Sequence, residues 1–200
     1  MSQTIDVKRY EELARQKQGE HRKFLAQLKK KAPKNLDKIV QEVHNEVFQE
    51  IDCTQCANCC KTLGPDFTEQ DITRIAKHFR MKLPAFEEMY LQVDEDGDKV
   101  FKSMPCPFLG PDNLCDIYDV RPKACAAFPH TDRKKIYQIN HLTIKNTLFC
   151  PAAYLFVEKL KDRILGRTCY ETLEFRCYYL TYHCSLFYRN SFYSRFVFGF

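Results

Sequence analysis

The chain has 200 residues, the size of one domain with short appendages. It carries 31 Lys and Arg against 26 Asp and Glu, so its net charge is +5, and residues 51–166 carry 16 of each sign. This balance lacks the basic footprint of a nucleic-acid-binding protein, and we expect no nucleic-acid partner. The apolar share of 44% is enough for a modest core and excludes wholesale disorder.

Three further classes of protein are excluded by the pattern of residues. No run of about 18 uncharged apolar residues occurs, so we expect no transmembrane helix. No apolar stretch follows the first Met, so we expect no secretory signal peptide and a cytoplasmic location. The six Gly do not cluster, which excludes a dinucleotide fingerprint and a P-loop.

Residues 5–52 predict two amphipathic helices, and this segment forms the first part (1–52) of the predicted organisation. The first helix runs roughly from Val7 to Lys30, and Pro33 separates it from the second. The second helix carries one apolar stripe at three- and four-residue steps: Leu36, Ile39, Val40, Val43, Val47 and Ile51. The stripe could bind a partner protein or pack on the chain's own cysteine-rich domain. Own-chain packing is favoured because an exposed stripe of this length promotes aggregation.

Residues 53–166 predict the second part, a cysteine-rich domain of short elements. A helix is predicted from Thr68 to Met81, with Thr68 and Asp71 as a capping box. Its expected buried face consists of Ile72, Ile75, Ala76 and Phe79.

The remaining elements of this domain follow from turn and proline signals. A short helix begins near Pro84, and a turn at 94–98 leads into a strand from Lys99 to Lys102. Residues 135–145 predict one or two strands, and a last helix runs from Pro151 to Leu165. The predicted fold is therefore mainly α with a small β hairpin, irregular and loop-rich, and stabilised by metal.

Residues 167–200 form a third part that differs in composition from the rest. Aromatic residues number 12 of 34 here against 15 of 166 before, and Lys, Ala and Asp do not occur. We interpret this segment as an aromatic-rich tail of doubtful origin, either the product of an altered reading frame or a natural tail that packs on the domain.

The strongest chemical signal is the run of Cys53, Cys56, Cys59 and Cys60. A Cys-x-x-Cys step brings two thiolates to one side of a turn, where they converge on one ion. Three such thiols leave a tetrahedral site one ligand short, so a further ligand must come from elsewhere in the chain. The adjacent Cys60 indicates either a second metal or a small buried hydrophobe.

More distant thiols supply the missing ligands. The candidates are Cys106, Cys115, Cys125 and Cys150. Eight thiols fit two four-coordinate ions, or one cluster and one ion, or four disulfides. The apparent cytoplasmic context favours metal over disulfides. Cys150 also precedes a predicted helix, whose dipole favours the thiolate.

Zinc and iron both remain open at this point. The distant Cys are single and widely spaced, which is unusual for a zinc finger. The triplet with a remote Cys-Pro pair, Cys106-Pro107 or Cys150-Pro151, is similar to the iron–sulfur ligation of bacterial ferredoxins. His130 is a weaker nitrogen-ligand candidate. Arg121 could pair with a carboxylate, stack on the Tyr118 ring, or compensate an anionic metal–thiolate centre.

These motifs resemble a bacterial family of CxxCxxCC cysteine-cluster proteins described as zinc- or iron-chelating domains. The resemblance covers about residues 50–165. It is carried by the cysteine run at 53–60, by Pro105–Leu109, by the segment from Cys115 to Pro129, and by Cys150-Pro151. It implies metal chelation by eight residues: Cys53, Cys56, Cys59, Cys60, Cys106, Cys115, Cys125 and Cys150. Cys169, Cys177 and Cys184 lie outside the resemblance.

The resemblance and the residues together leave three hypotheses of function. The first is a metal-binding protein that holds zinc or iron, with an iron–sulfur cluster as one form of the iron. The second is an iron-dependent redox or methyl-transfer enzyme, because some relatives are linked to N-methylation of flagellin lysines. The third is a metal-stapled adaptor that binds a protein partner through its N-terminal helices.

Overall fold

The computed structural model describes residues 5–166. These residues are mainly helical, with one small antiparallel sheet of two strands, as the sequence predicts. The helices are α1 Val7–Lys30, α2 Leu36–Glu50, α3 Cys53–Cys56, α4 Asn58–Thr62, α5 Glu69–His78, α6 Leu83–Tyr90, α7 Lys123–Ala127, α8 Asn140–Thr147 and α9 Pro151–Leu165. The strands are β1 Leu91–Val93 and β2 Lys99–Phe101, and short 3₁₀ turns lie at Tyr118–Val120 and Ile136–Ile139.

The chain divides into two units, with the boundary between residues 161 and 162. Every contact described below lies within the first unit. Of the second unit the structure describes residues 162–166, which complete α9 and reach Gly166 at a φ of +67°. The predicted aromatic-rich tail at 167–200 lies outside the described residues. Among the described helices, none is long and apolar enough to cross a membrane.

The apolar stripe of α2 is buried within the chain. Its buried members are Leu36, Val40, Val43, Val47 and, just past the helix end, Ile51. The first two helices contact the segment before α9: the Asn140 side-chain amide donates to the Leu25 carbonyl at 2.8 Å, and the Lys135 N–H donates to Asp37 at 2.7 Å. The stripe therefore supports the chain's own core, as the aggregation argument predicts.

A second core lies around α5, α6 and the hairpin. Its members are Phe67, Ile72, Ile75, Ala76, Phe86, Leu91, Phe101, Phe108 and Ile117. In the hairpin Leu91 pairs with Phe101, so both side chains lie on the core face of a two-stranded sheet. The predicted capping box is present, because the Thr68 hydroxyl accepts from the Asp71 N–H while the Asp71 carboxylate accepts from the Thr68 N–H.

Two expectations about local structure are wrong. Phe79 is 37% exposed rather than buried, and its ring instead stacks on Phe108 at a centroid distance of 5.3 Å. It follows the last residue of α5, so the helical period that predicted its burial no longer applies there. Residues 135–145 form a 3₁₀ turn and the start of α8 rather than strands. Tertiary packing of this segment on α1 outweighs its weak local preference.

A charged network joins α1 to α9 inside the first unit. Glu158 contacts three basic side chains: Lys17, His21 at 2.8 Å and Lys161 at 2.7 Å. His21 is fully buried, and Lys161 also donates to Glu20 at 2.8 Å. Burial alone raises the pKa of Glu158, but hydrogen bonds from His21, Lys161 and Lys17 outweigh it and hold that pKa far below its ordinary value of 4.5.

Replacing Glu158 with Gln should lower the free energy of unfolding at pH 7 by roughly 3 kcal/mol, because it removes the carboxylate that His21, Lys17 and Lys161 share and leaves Lys161 with Glu20. A carboxyl whose pKa is lowered on folding stabilises the protein above its unfolded pKa and loses that effect as the pH falls. The gap between wild type and Glu158→Gln should therefore be full above pH 4.5 and narrow below it. Urea unfolding at several pH values measures this gap.

The matched control is Glu11→Gln, which removes an exposed ion pair with Arg15 within α1. It should change the free energy of unfolding by less than about 1 kcal/mol at any pH. Equal effects of the two substitutions would show that the buried network contributes no more than a surface pair.

Candidate metal centre

The cysteine run folds as two short helices that meet at a reversed residue. Cys53 and Cys56 are the first and last residues of α3, and Cys59 and Cys60 lie in α4. Ala57 between them adopts a left-handed conformation with φ +47° and is itself buried. This turn changes the direction of the chain. The thiols of Cys53 and Cys56 therefore lie on one short helix, and those of Cys59 and Cys60 lie on another with a different orientation.

The loop that carries Cys106 and Cys115 is tied directly to the cysteine run. The Cys106 N–H donates to the Cys60 carbonyl at 2.8 Å. Leu109 and Cys115 form an isolated antiparallel bridge, which brings the two ends of the loop together. The Cys106 sulfur accepts from the Phe108 N–H, and the Cys115 sulfur accepts from the Ile117 N–H. Backbone N–H donors of this kind stabilise a thiolate and orient it.

Cys125 is positioned by α7, which is held against the N-terminus of α5. The Lys123 N–H at the start of α7 donates to Asp71 at 3.1 Å. Arg74 donates to the Arg121 carbonyl at 2.8 Å and to Asp71 at 2.6 Å. The capping carboxylate of Asp71 thus also locates the helix that carries Cys125.

Cys150 lies at the N-terminus of α9, as predicted. Its sulfur accepts from the N–H groups of Ala152 and Ala153. The preceding carbonyl, that of Phe149, accepts from the Asn58 side chain at 2.7 Å, which joins α9 to the cysteine run. Free N–H groups at a helix N-terminus favour a negative charge on the sulfur.

All eight predicted ligand cysteines carry free thiols. Cys53 and Cys125 are exposed and the other six are half-buried. The alternative of four disulfides among these eight residues is therefore wrong in this structure. The sulfurs of Cys59 and Cys60 lie 3.9 Å apart and share a hydrogen bond.

Burial and mutual repulsion govern the pKa values of these thiols. Burial, with repulsion from neighbouring cysteines, raises the pKa of Cys106 to about 11 and the pKa of Cys125 and of Cys150 to about 12. The pKa of Cys60 falls to about 7, mainly because Cys59 donates a hydrogen bond to it. The thiolate form of most of this group is thus unfavourable without a nearby cation.

The donor set fits zinc or iron by its chemistry. Thiolates bind Zn²⁺ and iron–sulfur clusters in preference to the hard cations, which take oxygen ligands. In the described residues, no three or more His, Cys, Asp or Glu side chains form a ready-made ion site. The thiols are close enough to affect each other's charge, and loading would require the side chains to converge on the ion.

The weaker candidates lie beside this group. The Arg121 guanidinium stacks on the Tyr118 ring at 3.7 Å from its centroid, which confirms that expectation. Arg121 also lowers the pKa of Cys115 and of Cys125, although burial outweighs it. His130 is half-buried, and its electrostatic partners are Arg133 and Asp132 rather than a cysteine.

Sequence reasoning missed the second role of Asp71. Its place in a capping box was visible, but its contacts with Arg74 and Lys123 depend on tertiary structure. The burial of this carboxylate, at 1% exposure, had no signal in the sequence beyond the box itself. Asn58 was likewise missed, because an Asn between cysteines has no fixed partner in the sequence.

Fold and cysteines together define a mainly α, cysteine-rich protein. The profile of the CxxCxxCC family, described as a "putative zinc- or iron-chelating domain", matches residues 52–151, half of the chain. The chain belongs to this family, which confirms the resemblance seen in its motifs. Comparisons with curated proteins and with solved structures found no match.

Replacing Asp71 with Ala should lower the free energy of unfolding by about 2–4 kcal/mol, because it removes the carboxylate half of the capping box and the contacts to Arg74 and Lys123. It should also release α7, so Cys125 should react faster with a thiol reagent. Urea unfolding and the kinetics of thiol modification measure the two effects. The control is Glu69→Gln, in the same turn of α5 as Asp71. Glu69 is an exposed partner of Lys99, so its replacement should change neither the free energy of unfolding nor the reactivity of Cys125.

Proposed function

We propose that this protein chelates zinc or iron through its eight family-matched cysteines, and that the metal holds the loop-rich part of the fold together. One observation carries the proposal. Eight free thiols, four from the cysteine run and four from more distant positions in the chain, are linked by electrostatic contacts. When bound, the metal supplies a cationic centre that neutralises the thiolates and cross-links these stretches.

The electrostatics support a resident cation. Thiols whose pKa is raised by burial and by each other resist ionisation until a positive ion offsets the repulsion. Four backbone N–H groups, those of Phe108, Ile117, Ala152 and Ala153, already donate hydrogen bonds to cysteine sulfurs. Such outer contacts fix ligand orientation at metal–thiolate sites.

The loops between the cysteines also need a cross-link to stabilise them. Residues 102–122 contain one 3₁₀ turn and otherwise lack regular elements, although they carry Cys106 and Cys115. Small domains with so little regular structure commonly depend on metal for stability. The metal would add a cross-link to the apolar contacts that Phe108 and Ile117 of this loop make in the second core.

The nature of the metal is tested by its content and colour. Full-length protein purified anaerobically should contain zinc or iron in stoichiometric amount. Colourless protein with zinc supports a structural site, and brown protein with iron and labile sulfide supports an iron–sulfur centre. Protein that takes up neither ion, even after reconstitution, would overturn the proposal.

Removal of the metal should unfold the cysteine-rich domain. Chelation, or replacement of Cys56 with Ser, should lower the thermal midpoint by roughly 10 °C, because folding and metal binding are coupled. Far-UV circular dichroism follows the transition. Gln55→Ser, an exposed position between Cys53 and Cys56, is the control and should keep the midpoint. A Cys56→Ser protein that kept both its midpoint and its metal would contradict a structural role.

An iron-dependent redox or methyl-transfer enzyme is a second candidate, and one feature favours it. An open groove of about 420 Å³ lies beside α7, and Tyr118, Arg121 and Ala126 are among its lining residues. A substrate in this groove would lie next to α7, the helix that carries Cys125. Binding of a small molecule that changes the visible spectrum of iron-loaded protein would support this reading, and a spectrum unaffected by every methyl-donor and redox compound tried would count against it.

The structure offers less support for the adaptor hypothesis. The apolar stripe of α2 that would recognise a partner is buried against the chain itself. A partner would need another surface, and no described contact identifies one. The N-terminal helices are better explained as support for α8 and α9.

A further inference from the structure

Hydrogen bonds tie the distant cysteines to the cysteine run at two places, the Cys60 carbonyl and the Asn58 side chain, and these two places divide the eight thiols into two groups of four. We call Cys53, Cys56, Cys59 and Cys150 the proximal group, and Cys60, Cys106, Cys115 and Cys125 the distal group. The division cuts the chain between two adjacent residues of α4, Cys59 and Cys60. It follows from backbone contacts first and from electrostatic contacts second.

The distal group is built on the carbonyl of Cys60. That carbonyl accepts from the Cys106 N–H at 2.8 Å, so the loop containing Cys106 starts beside Cys60. The Leu109–Cys115 bridge then returns the chain to the same place. Cys125 enters from α7, and its strongest thiol partners are Cys60, Cys106 and Cys115.

Every pair in the distal group interacts electrostatically. Cys106 interacts with Cys60 and Cys115, and Cys115 interacts with Cys60. Cys125 supplies the other three pairs. Arg121 adds a positive charge beside Cys115 and Cys125, where a four-thiolate site would carry excess negative charge.

The proximal group is built on the start of α9. The Asn58 side chain binds the Phe149 carbonyl, which holds the cysteine run next to Cys150. Cys150 interacts with Cys53 and Cys56, and Cys59 interacts with Cys150 and Cys53. Here the N–H groups at the helix N-terminus, rather than an arginine, face the negative charge.

Contact between the groups passes through α4. The sulfurs of Cys59 and Cys60 are 3.9 Å apart and share a hydrogen bond, and Cys53 also interacts electrostatically with Cys60. Successive residues on a helix point about 100° apart, so the thiols of two neighbouring residues can bind metal ions on two different sides of the helix. Adjacency in the sequence therefore explains this contact without a shared site.

We propose that the chain holds two metal centres, one bound by the four thiolates of the proximal group and one by the four thiolates of the distal group, with the Cys59–Cys60 peptide as their junction. This inference rests on the proposed function, and it selects one of the arrangements that eight thiols allow. Four thiolates complete a tetrahedral zinc site, and they also complete the ligand set of an iron–sulfur cluster.

The test is zinc stoichiometry of full-length protein and single- and double-site variants. Metal-free protein is titrated anaerobically with Zn²⁺, and the number of zinc ions bound per chain is measured by inductively coupled plasma mass spectrometry. Wild type should bind two equivalents. Cys106→Ser, Cys125→Ser, Cys56→Ser and Cys150→Ser should each bind one, and so should the within-group doubles Cys106→Ser/Cys125→Ser and Cys56→Ser/Cys150→Ser.

The cross-group double Cys106→Ser/Cys150→Ser should bind no zinc. Cobalt in place of zinc gives a second measurement, because its thiolate absorption should fall by half in each single variant and vanish in the cross-group double. Cys169→Ser, outside the matched segment, controls for loss of a thiol and should keep both equivalents. Circular dichroism of each zinc-loaded variant reports whether the remaining centre still folds its part of the chain.

Each contrary outcome has its own meaning. One zinc in wild type, or the loss of both from a single variant, would show one shared centre and overturn the division. A within-group double that loses both would overturn the grouping, and loss from Cys169→Ser would overturn the ligand assignment. Wild type that binds neither zinc nor iron would instead overturn the proposed function itself.

Discussion

The burial of neighbouring cysteine thiols, which makes their thiolate forms costly, is the constraint on which the site depends. Burial and neighbouring sulfurs raise the pKa of Cys106, Cys125 and Cys150 well above that of an isolated thiol. The fold nevertheless brings these residues together from distant parts of the sequence, and backbone N–H groups donate to the sulfurs of Cys106, Cys115 and Cys150. A scaffold that collects such groups without forming disulfides is suited to a cation, and the family to which the chain belongs is described by that chemistry.

Regular elements stand at the edges of the thiol group and position it. The capping carboxylate of Asp71 anchors α7, and the Asn58 amide anchors the start of α9. The apolar cores lie beneath these anchors, one around α5, α6 and the hairpin and one along α1 and α2. The loop that carries Cys106 and Cys115 places Phe108 and Ile117 in the second core, and the two cysteines pack against that core.

Local signals in the sequence predicted most helices, the capping box, the hairpin and the helix that begins at Pro151. They failed where tertiary contacts decide: residues 135–145 are helical because they pack on α1, and Phe79 leaves its helix face after α5 ends. The eight ligand candidates followed from spacing and from family resemblance. The contact that ties Cys106 to Cys60 did not, because a backbone hydrogen bond between residues so distant in the sequence depends on tertiary structure.

Helix α9 has two anchorages that differ in kind. Its first turn holds the Cys150 sulfur, and seven residues beyond Pro151 the same helix carries Glu158, bound to His21 and Lys161. A helix rises 1.5 Å per residue, so about 10 Å of rigid backbone separates the two. Any shift of the first turn on metal loading must therefore be transmitted along the axis to a fully buried imidazole. The ring protons of His21 offer a nuclear magnetic resonance signal that senses the metal without touching it.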